Sequence, residues 1–314
     1  MKRHGYLFER IVDKENLRRA HQNARRGKRK YKEVQQVDDD VEYHIDKLQS
    51  MLIDGMFTTS NYEVFTKNDK GKSREIYKLP YFPDRIVQHA LMQIMEPIWK
   101  GMLIKQTYQS IKGRGVHKAL NDLRARLGND SWVTKVDIQK YYPSIDNDKL
   151  YKMLVKKIKC TRTKELVKDI VYSIKGVPIG NYTSQYFGNV YLSEFDRELK
   201  RGCEVYSRYC DDIVCITKHK TNGNALLEKI NNTARELDLV VKRCQQVWHI
   251  QDRCVDYLGY RVWATHTTVR PKIANGYRQA VNKQNKDKIN GYGGWLAHAN
   301  CHNLIKEING NNNE

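Results

Sequence analysis

Two adjacent aspartates, Asp211 and Asp212, follow Tyr209-Cys210 and lie between two apolar, strand-like runs, EVYSRY and IVCIT. Neighbouring carboxylates at a tight turn repel one another, a cost that a cation removes. Hard oxygen ligands of this kind suit Mg²⁺, which keeps part of its water shell and takes the rest from carboxylates and phosphate oxygens. A third carboxylate, Asp137, closes the apolar run Trp132–Val136. With that run beside the 205–217 hairpin, three carboxylates converge, enough to hold two Mg²⁺ about 3.5–4 Å apart for in-line phosphoryl displacement. A DD pair is also a common solvated turn, so the surrounding pattern decides.

The carboxylates need elements to aim them. Val41, Ile45, Leu48 and Leu52 fall at helical spacing. Residues 61–79 read as strand, polar turn and strand. Asp84 is the expected N-cap of a helix whose apolar face runs Ile86, Val87, Ala90, Leu91, Ile94, Met95 and Ile98. A further helix is expected over Val116–Leu127, a buried strand over Trp132–Ile138 and a basic helical stretch over roughly 147–174. After the Val205–Thr217 hairpin come a helix (Ala225–Glu236), a strand-like Leu239–Arg243 and a strand pair in Val255–Trp263. From Pro271 the chain is basic and helical in pieces. Hairpins mixed with helices argue for an α+β fold.

Three hundred and fourteen residues suffice for one large domain or two to three subdomains sharing a core. Fifty-six Lys and Arg against 36 Asp and Glu give a net charge of +20, a field that attracts polyanions. Twenty tyrosines beside six phenylalanines add flat surfaces suited to stacking on bases. Nucleic acid is the expected partner. The seven cysteines show no CxxC pairing or zinc spacing, so reduced thiols in a cytoplasmic setting are expected. No apolar run approaches the ~20 residues of a membrane helix, and the N-terminus lacks a secretory pattern.

The stretches VTKVDIQKYYPSID, GVPIGNYTSQYFGNVYLSEFD, SRYCDDIVCI and DYLGYRVW occur in that order. Across about residues 60–265 this resembles the successive motifs of reverse transcriptases. The resemblance implies a right-hand polymerase with fingers, a palm of antiparallel sheet plus helices, and a short helical thumb. Residues 1–35 would form a basic N-terminal extension that binds phosphates, and 36–128 the fingers with part of the palm. Residues 129–262 would be palm with an interleaved fingers segment near 147–175, and 263–314 the thumb. Asp137, Asp211 and Asp212 would be the catalytic, metal-holding carboxylates for two Mg²⁺. Tyr142, five residues after Asp137, would exclude a 2′-hydroxyl from the incoming nucleotide. Arg74 would clamp the triphosphate, with Lys67 or Lys72 as a second cation. Lys242, in competition with Arg243, would protonate departing pyrophosphate, and Leu258-Gly259-Tyr260 would grip the primer. Template RNA, a cDNA or RNA primer and dNTPs are the implied partners.

One departure narrows the family. Where most reverse transcriptases carry Gln-Gly, three residues and Ser-Pro, this chain reads Ile179-Gly180-Asn181-Tyr182-Thr183-Ser184-Gln185. Gly180 would allow close backbone approach to the nascent pair. The form resembles reverse transcriptases of diversity-generating retroelements, of bacterial, archaeal or phage origin. That subtype's compact chain and basic N-terminal extension agree with it. It implies error-prone copying at adenines of a template-repeat RNA, with a pentameric basic accessory variability protein as partner. Losing an amide at position 179 removes a hydrogen bond worth about 0.5–1.5 kcal/mol, and with it some discrimination between pairs. A retron or group II intron-like enzyme, a non-catalytic RNA-binding or splicing cofactor on the same scaffold, and a metal-dependent nuclease are the competing readings.

Overall fold

Asp13 accepts the Asn16 backbone N–H and so caps α2 (Lys14–Ala24), which follows the short α1 (Leu7–Val12). Helix α3 (Lys32–Asp39) leads into α4 (Val41–Ile53), capped in the same way by Asp40. A hairpin of β1 (Glu63–Asp69) and β2 (Lys72–Lys78) precedes α5 (Ile86–Lys100), whose apolar face is buried as its spacing predicts. Then come α6 (Val116–Arg124), β3 (Trp132–Asp137), α7 (Asn147–Val155), α8 (Thr161–Tyr172), α9 (Ser184–Tyr191) and α10 (Ser193–Lys200). Strands β4 (Val205–Tyr209) and β5 (Asp212–Thr217) are followed by α11 (Lys220–Glu236), β6 (Gln246–His249), β7 (Val255–Tyr257), β8 (Tyr260–Val262) and β9 (Thr267–Val269). Helices α12 (Pro271–Asn282), α13 (Lys286–Leu296) and α14 (His302–Gly310) complete the order. This computed structural model describes residues 3–69, 71–243 and 245–310, apart from the side chains of 69, 72 and 307–310. The Lys72 side chain, one of the two candidate fingers lysines, therefore lies outside the described residues.

The chain divides into two compact units, each made of separated segments. The first comprises residues 1–104, 139–194 and 235–239. Helices α1 and α2 pack on α5 there, burying Leu7, Phe8, Ile11, Leu17 and Ala20. Helices α1 and α2, within the stretch 1–35 expected to be an extension, are thus folded into this core, because the apolar side chains among the charges fall on one helical face. Trp99 of α5 donates to the Leu154 carbonyl at 3.0 Å, tying α7 to the same core. The β1–β2 hairpin forms a sheet of its own.

The second unit comprises residues 105–138, 195–234 and 240–314. Its four-stranded sheet has the order β4-β5-β3-β6, and a three-stranded sheet has the order β7-β8-β9; every pairing is antiparallel. Val133, Val214 and Ile216 from the first sheet join Val255, Tyr257, Tyr260 and Val262 from the second in one apolar core. The fold is of the α+β class expected. Among the described residues no helix is long and apolar enough to cross a membrane, and the six cysteines are free.

Three local expectations are corrected. Asp84 does not cap α5: it is buried and accepts from the Ser60 backbone N–H and hydroxyl at 2.9 and 2.7 Å. The apolar Leu239–Val241 run forms no strand and makes only an isolated bridge, Val241 to Ile138, just beyond the stretch of β3 that pairs with β6. The basic stretch 147–174 is two helices, α7 and α8, separated at residues 156–160.

Candidate active site

Strand pairing brings the distant carboxylates together. Asp137 at the end of β3 stands directly opposite Asp212 at the start of β5. Side chains of such cross-strand partners share one face of the sheet, with Cβ atoms roughly 4.5–5.5 Å apart. Tyr209 pairs with Asp212, so Cys210 and Asp211 form a two-residue loop between β4 and β5. Cys210 takes φ +59°, a left-handed conformation that turns the chain within the twist of the strands. Asp211 and Asp212 are both partly buried.

The electrostatics are unsettled on the carboxylates' side. Burial pushes the Asp212 carboxyl up to about 6, against the opposing pull of Lys135 and with a further push from Asp137 and Asp211. Lys135 Nζ lies 3.3 Å from Asp212 Oδ1, and Lys242 Nζ meets Asp137 Oδ1. Each of these two buried oxygens thus faces a lysine ammonium, with no backbone or hydroxyl donor satisfying it. The Lys242 backbone N–H also donates to the Asp137 carbonyl at 2.9 Å. Arg243, the competing cation, is exposed.

Among the described residues no group of three His, Cys, Asp or Glu side chains is gathered closely enough to grip an ion as it stands. The donor set nonetheless fits a hard cation. Two buried carboxylate oxygens without hydrogen bonds face each other across adjacent strands, with Asp211 one residue along. Such oxygens lose their hydration on folding, and a divalent ion restores it in kind.

In the same unit the β7–β8 hairpin carries Leu258-Gly259-Tyr260. Leu258 and Gly259 occupy its two loop positions with φ +51° and +90°, the double positive-φ pattern that suits a tight hairpin. A Cβ on Gly259 would come within 2.6 Å of the Trp295 ring. Tyr260 is buried and donates to the Trp295 carbonyl at 3.1 Å. Sequence reasoning missed Lys135, which joins this hairpin to the carboxylates by donating to the Asp256 carbonyl. The available signal was strand alternation, which puts residues 135 and 137 on one face.

The remaining candidates lie in the first unit. Arg74 and Lys67 are exposed cross-strand partners in the β1–β2 hairpin. Tyr142 begins a short helical turn, with its ring packed where a Cβ of Gly188 would stand, 3.0 Å away. The Ile179 carbonyl accepts the Tyr77 N–H at 2.8 Å, and Ile179 itself is half-buried. Gly180 has φ +139°, and a Cβ there would lie 2.1 Å from the Tyr77 carbonyl oxygen. Gly180 thus lets the backbone come close to β2 of the protein. Gln185 is exposed in the first turn of α9.

A family model described as reverse transcriptase (RNA-dependent DNA polymerase) matches residues 65–262. The group II intron-encoded protein LtrA of Lactococcus lactis subsp. cremoris is 25% identical over 170 residues, 50% of this chain and 28% of LtrA. The retron Ec73 reverse transcriptase of Escherichia coli is 26% identical over 184 residues, 54% of this chain and 57% of that protein. The chain thus spans less than two thirds of either relative. Apo telomerase from Candida tropicalis shares the fold with a TM-score of 0.54 at 12% identity, over 70% of this chain and 50% of that one.

Proposed function

The chain belongs to the reverse transcriptase family, and on that premise we propose that it is an RNA-directed DNA polymerase acting in a diversity-generating retroelement. The observation that carries the catalytic part is the cross-strand pair Asp137–Asp212, whose buried oxygens lack hydrogen-bond partners, beside Asp211. These three carboxylates would hold two Mg²⁺. When bound, the ions supply charge neutralisation at the attacking and leaving oxygens of phosphoryl transfer.

The other roles belong to the chain's own side chains. Leu258-Gly259-Tyr260, stiffened by Trp295, holds the primer end so that its 3′-oxygen lies in line with the α-phosphorus; misplacement by an ångström would cost rate steeply. Tyr142 blocks a 2′-hydroxyl, and Arg74 with Lys67 or Lys72 grips the triphosphate. Lys242, seated at Asp137, is the donor to leaving pyrophosphate. In this reading the first unit supplies fingers and the second supplies palm and thumb, acting on template RNA, primer and dNTPs in the cytoplasm.

The retroelement subtype rests on Ile179 and Gln185 standing where the usual pattern has Gln and Pro. The enzyme would copy a template-repeat RNA with errors at adenines, alongside the pentameric basic accessory protein. The identity to LtrA and to the retron enzyme favours a second reading, a retron or group II intron-like polymerase without adenine-directed error. Primer extension on RNA with dNTPs and Mg²⁺ tests the activity: synthesis should vanish in Asp211→Ala/Asp212→Ala. Template shortening would indicate a nuclease, and RNA binding without synthesis a cofactor. Sequencing the products separates the two polymerase readings. Misincorporation should concentrate opposite adenine and decline in Ile179→Gln; an even error spectrum supports the second reading.

A further inference from the structure

Lys135 touches two elements at once. Its ammonium lies 3.3 Å from Asp212 Oδ1 and also donates to the backbone carbonyl of Asp256 in β7. The Asp256 carboxylate in turn accepts from Arg270 Nε at 2.5 Å, and Arg270 is the residue that opens α12. A string of polar contacts, Asp212–Lys135–Asp256–Arg270, passing through the Asp256 backbone carbonyl and then its carboxylate, therefore runs from the carboxylate edge of the sheet to the β7–β8 hairpin and the start of a helix. Lys242 neutralises Asp137 in a comparable way, its backbone N–H and its ammonium both meeting Asp137.

The register explains why Lys135 stands there. It is opposite Val214, and Asp137 is opposite Asp212, so Lys135 and Asp212 are diagonal neighbours on one face. Val133 and Val214 flank it within the apolar core. The stem is anchored and the ammonium emerges at the border between core and carboxylates.

We propose that Lys135 is a positioning residue that tethers Asp212 to the β7–β8 hairpin and surrenders that carboxylate to a divalent cation, so that ion binding loosens the tether. The proposal rests on the reading of Asp137, Asp211 and Asp212 as an ion site. Its physical basis is competition: an ammonium and a dication cannot share one partly buried carboxylate without strong mutual repulsion. Loss of the ammonium contact leaves the Asp256 carbonyl with a weaker hold on β3, and the hairpin gains freedom as the ion arrives.

The test uses the full chain and Mn²⁺ as probe, with free Mn²⁺ read by electron paramagnetic resonance and hairpin freedom by hydrogen exchange of residues 255–262. Lys135→Met should bind Mn²⁺ about tenfold tighter or more, because a repelling charge is gone. Lys135→Arg, which keeps the charge, should bind as the parent does. Lys135→Gln separates the two roles: it should bind Mn²⁺ tightly and still protect the hairpin through an amide hydrogen bond to Asp256. In the parent, Mn²⁺ should speed exchange in 255–262; in Lys135→Met exchange should be fast already and indifferent to the ion. Equal or weaker Mn²⁺ binding in both uncharged variants overturns the role of Lys135, as does a parent hairpin that ignores Mn²⁺. A purely architectural lysine would give that weaker binding. If the parent binds no Mn²⁺, or binds it equally after Asp212→Asn, the ion-site reading itself falls.

Discussion

Two carboxylates flank the same hairpin and behave oppositely. Asp196 is fully buried with Arg208 of β4, and both its oxygens are saturated. Oδ1 accepts from Arg208 Nε at 2.6 Å and Tyr206 OH at 2.7 Å; Oδ2 accepts from Arg208 Nη2 at 2.7 Å and Thr107 Oγ1 at 2.9 Å. Asp212, at the start of the adjoining β5, has a buried oxygen with no hydrogen bond and one lysine at 3.3 Å. The residue type is the same. A carboxylate with every lone pair engaged is architecture, whereas one left short of donors keeps an appetite for a cation. The two are linked, since Arg208 Nη1 donates to the Cys210 carbonyl at 3.0 Å and so braces the loop that presents Asp211 and Asp212.

The contrast is broken most directly at Asp212. Asp212→Asn should lower primer extension about ten-thousandfold or more, on the order of 5–6 kcal/mol of barrier. Its unfolding free energy should move by less than about 1 kcal/mol, because what is lost is one partly exposed ion pair with Lys135. Asp196→Asn should do the reverse to stability. An unmatched guanidinium would be left in the core, at a cost of about 3–5 kcal/mol in denaturation followed by tryptophan fluorescence. Equal stability losses in the two variants would erase the distinction drawn between them.

How much of this was legible in the sequence differs by level. The YCDD hairpin was readable because apolar runs flank a two-residue break, and period-two patterning survives without tertiary knowledge. The face of α5 was readable for the same kind of reason. Asp84 was misread because a capping position and a buried acceptor for Ser60 look identical in one dimension. Leu239–Val241 has strand composition, but only Val241 finds a partner, Ile138, just beyond the stretch of β3 that pairs with β6. The apolar faces of α1 and α2 were hidden by the density of charge around them. Lys135 was missed since a lysine two residues before an aspartate has meaning only once its cross-strand neighbours are known. Gly180 was recognised as a close-approach glycine, but the surface it approaches, the Tyr77 carbonyl, was not foreseeable.

The hairpin in β7–β8 offers an intermediate case, rigid by packing where Asp196 is rigid by saturation. Gly259→Ala would force a methyl to 2.6 Å from the Trp295 ring at a φ of +90°. A loss of about 2–3 kcal/mol in stability is expected from overpacking and backbone strain together. Extension should fall with it, through a raised KM for the primed template. Unchanged stability would mean that Trp295 yields, and that this hairpin is softer than its packing implies.

The smallest effect is expected at Cys210, which sits between the two carboxylate environments. Its left-handed φ of +59° costs a non-glycine residue about 1–2 kcal/mol, which Cys210→Gly would relieve. Glycine gives back about 0.5–1 kcal/mol through the freer unfolded chain. The net change in stability should stay within about 1 kcal/mol, and the Arg208 hydrogen bond survives because it is made to the backbone. Extension should drop less than about tenfold, reflecting only a looser aim of Asp211. A loss of the size expected for Asp212→Asn would mean that the Cys210 side chain itself belongs to the reactive carboxylate environment, and that strain at the loop does more than turn the chain.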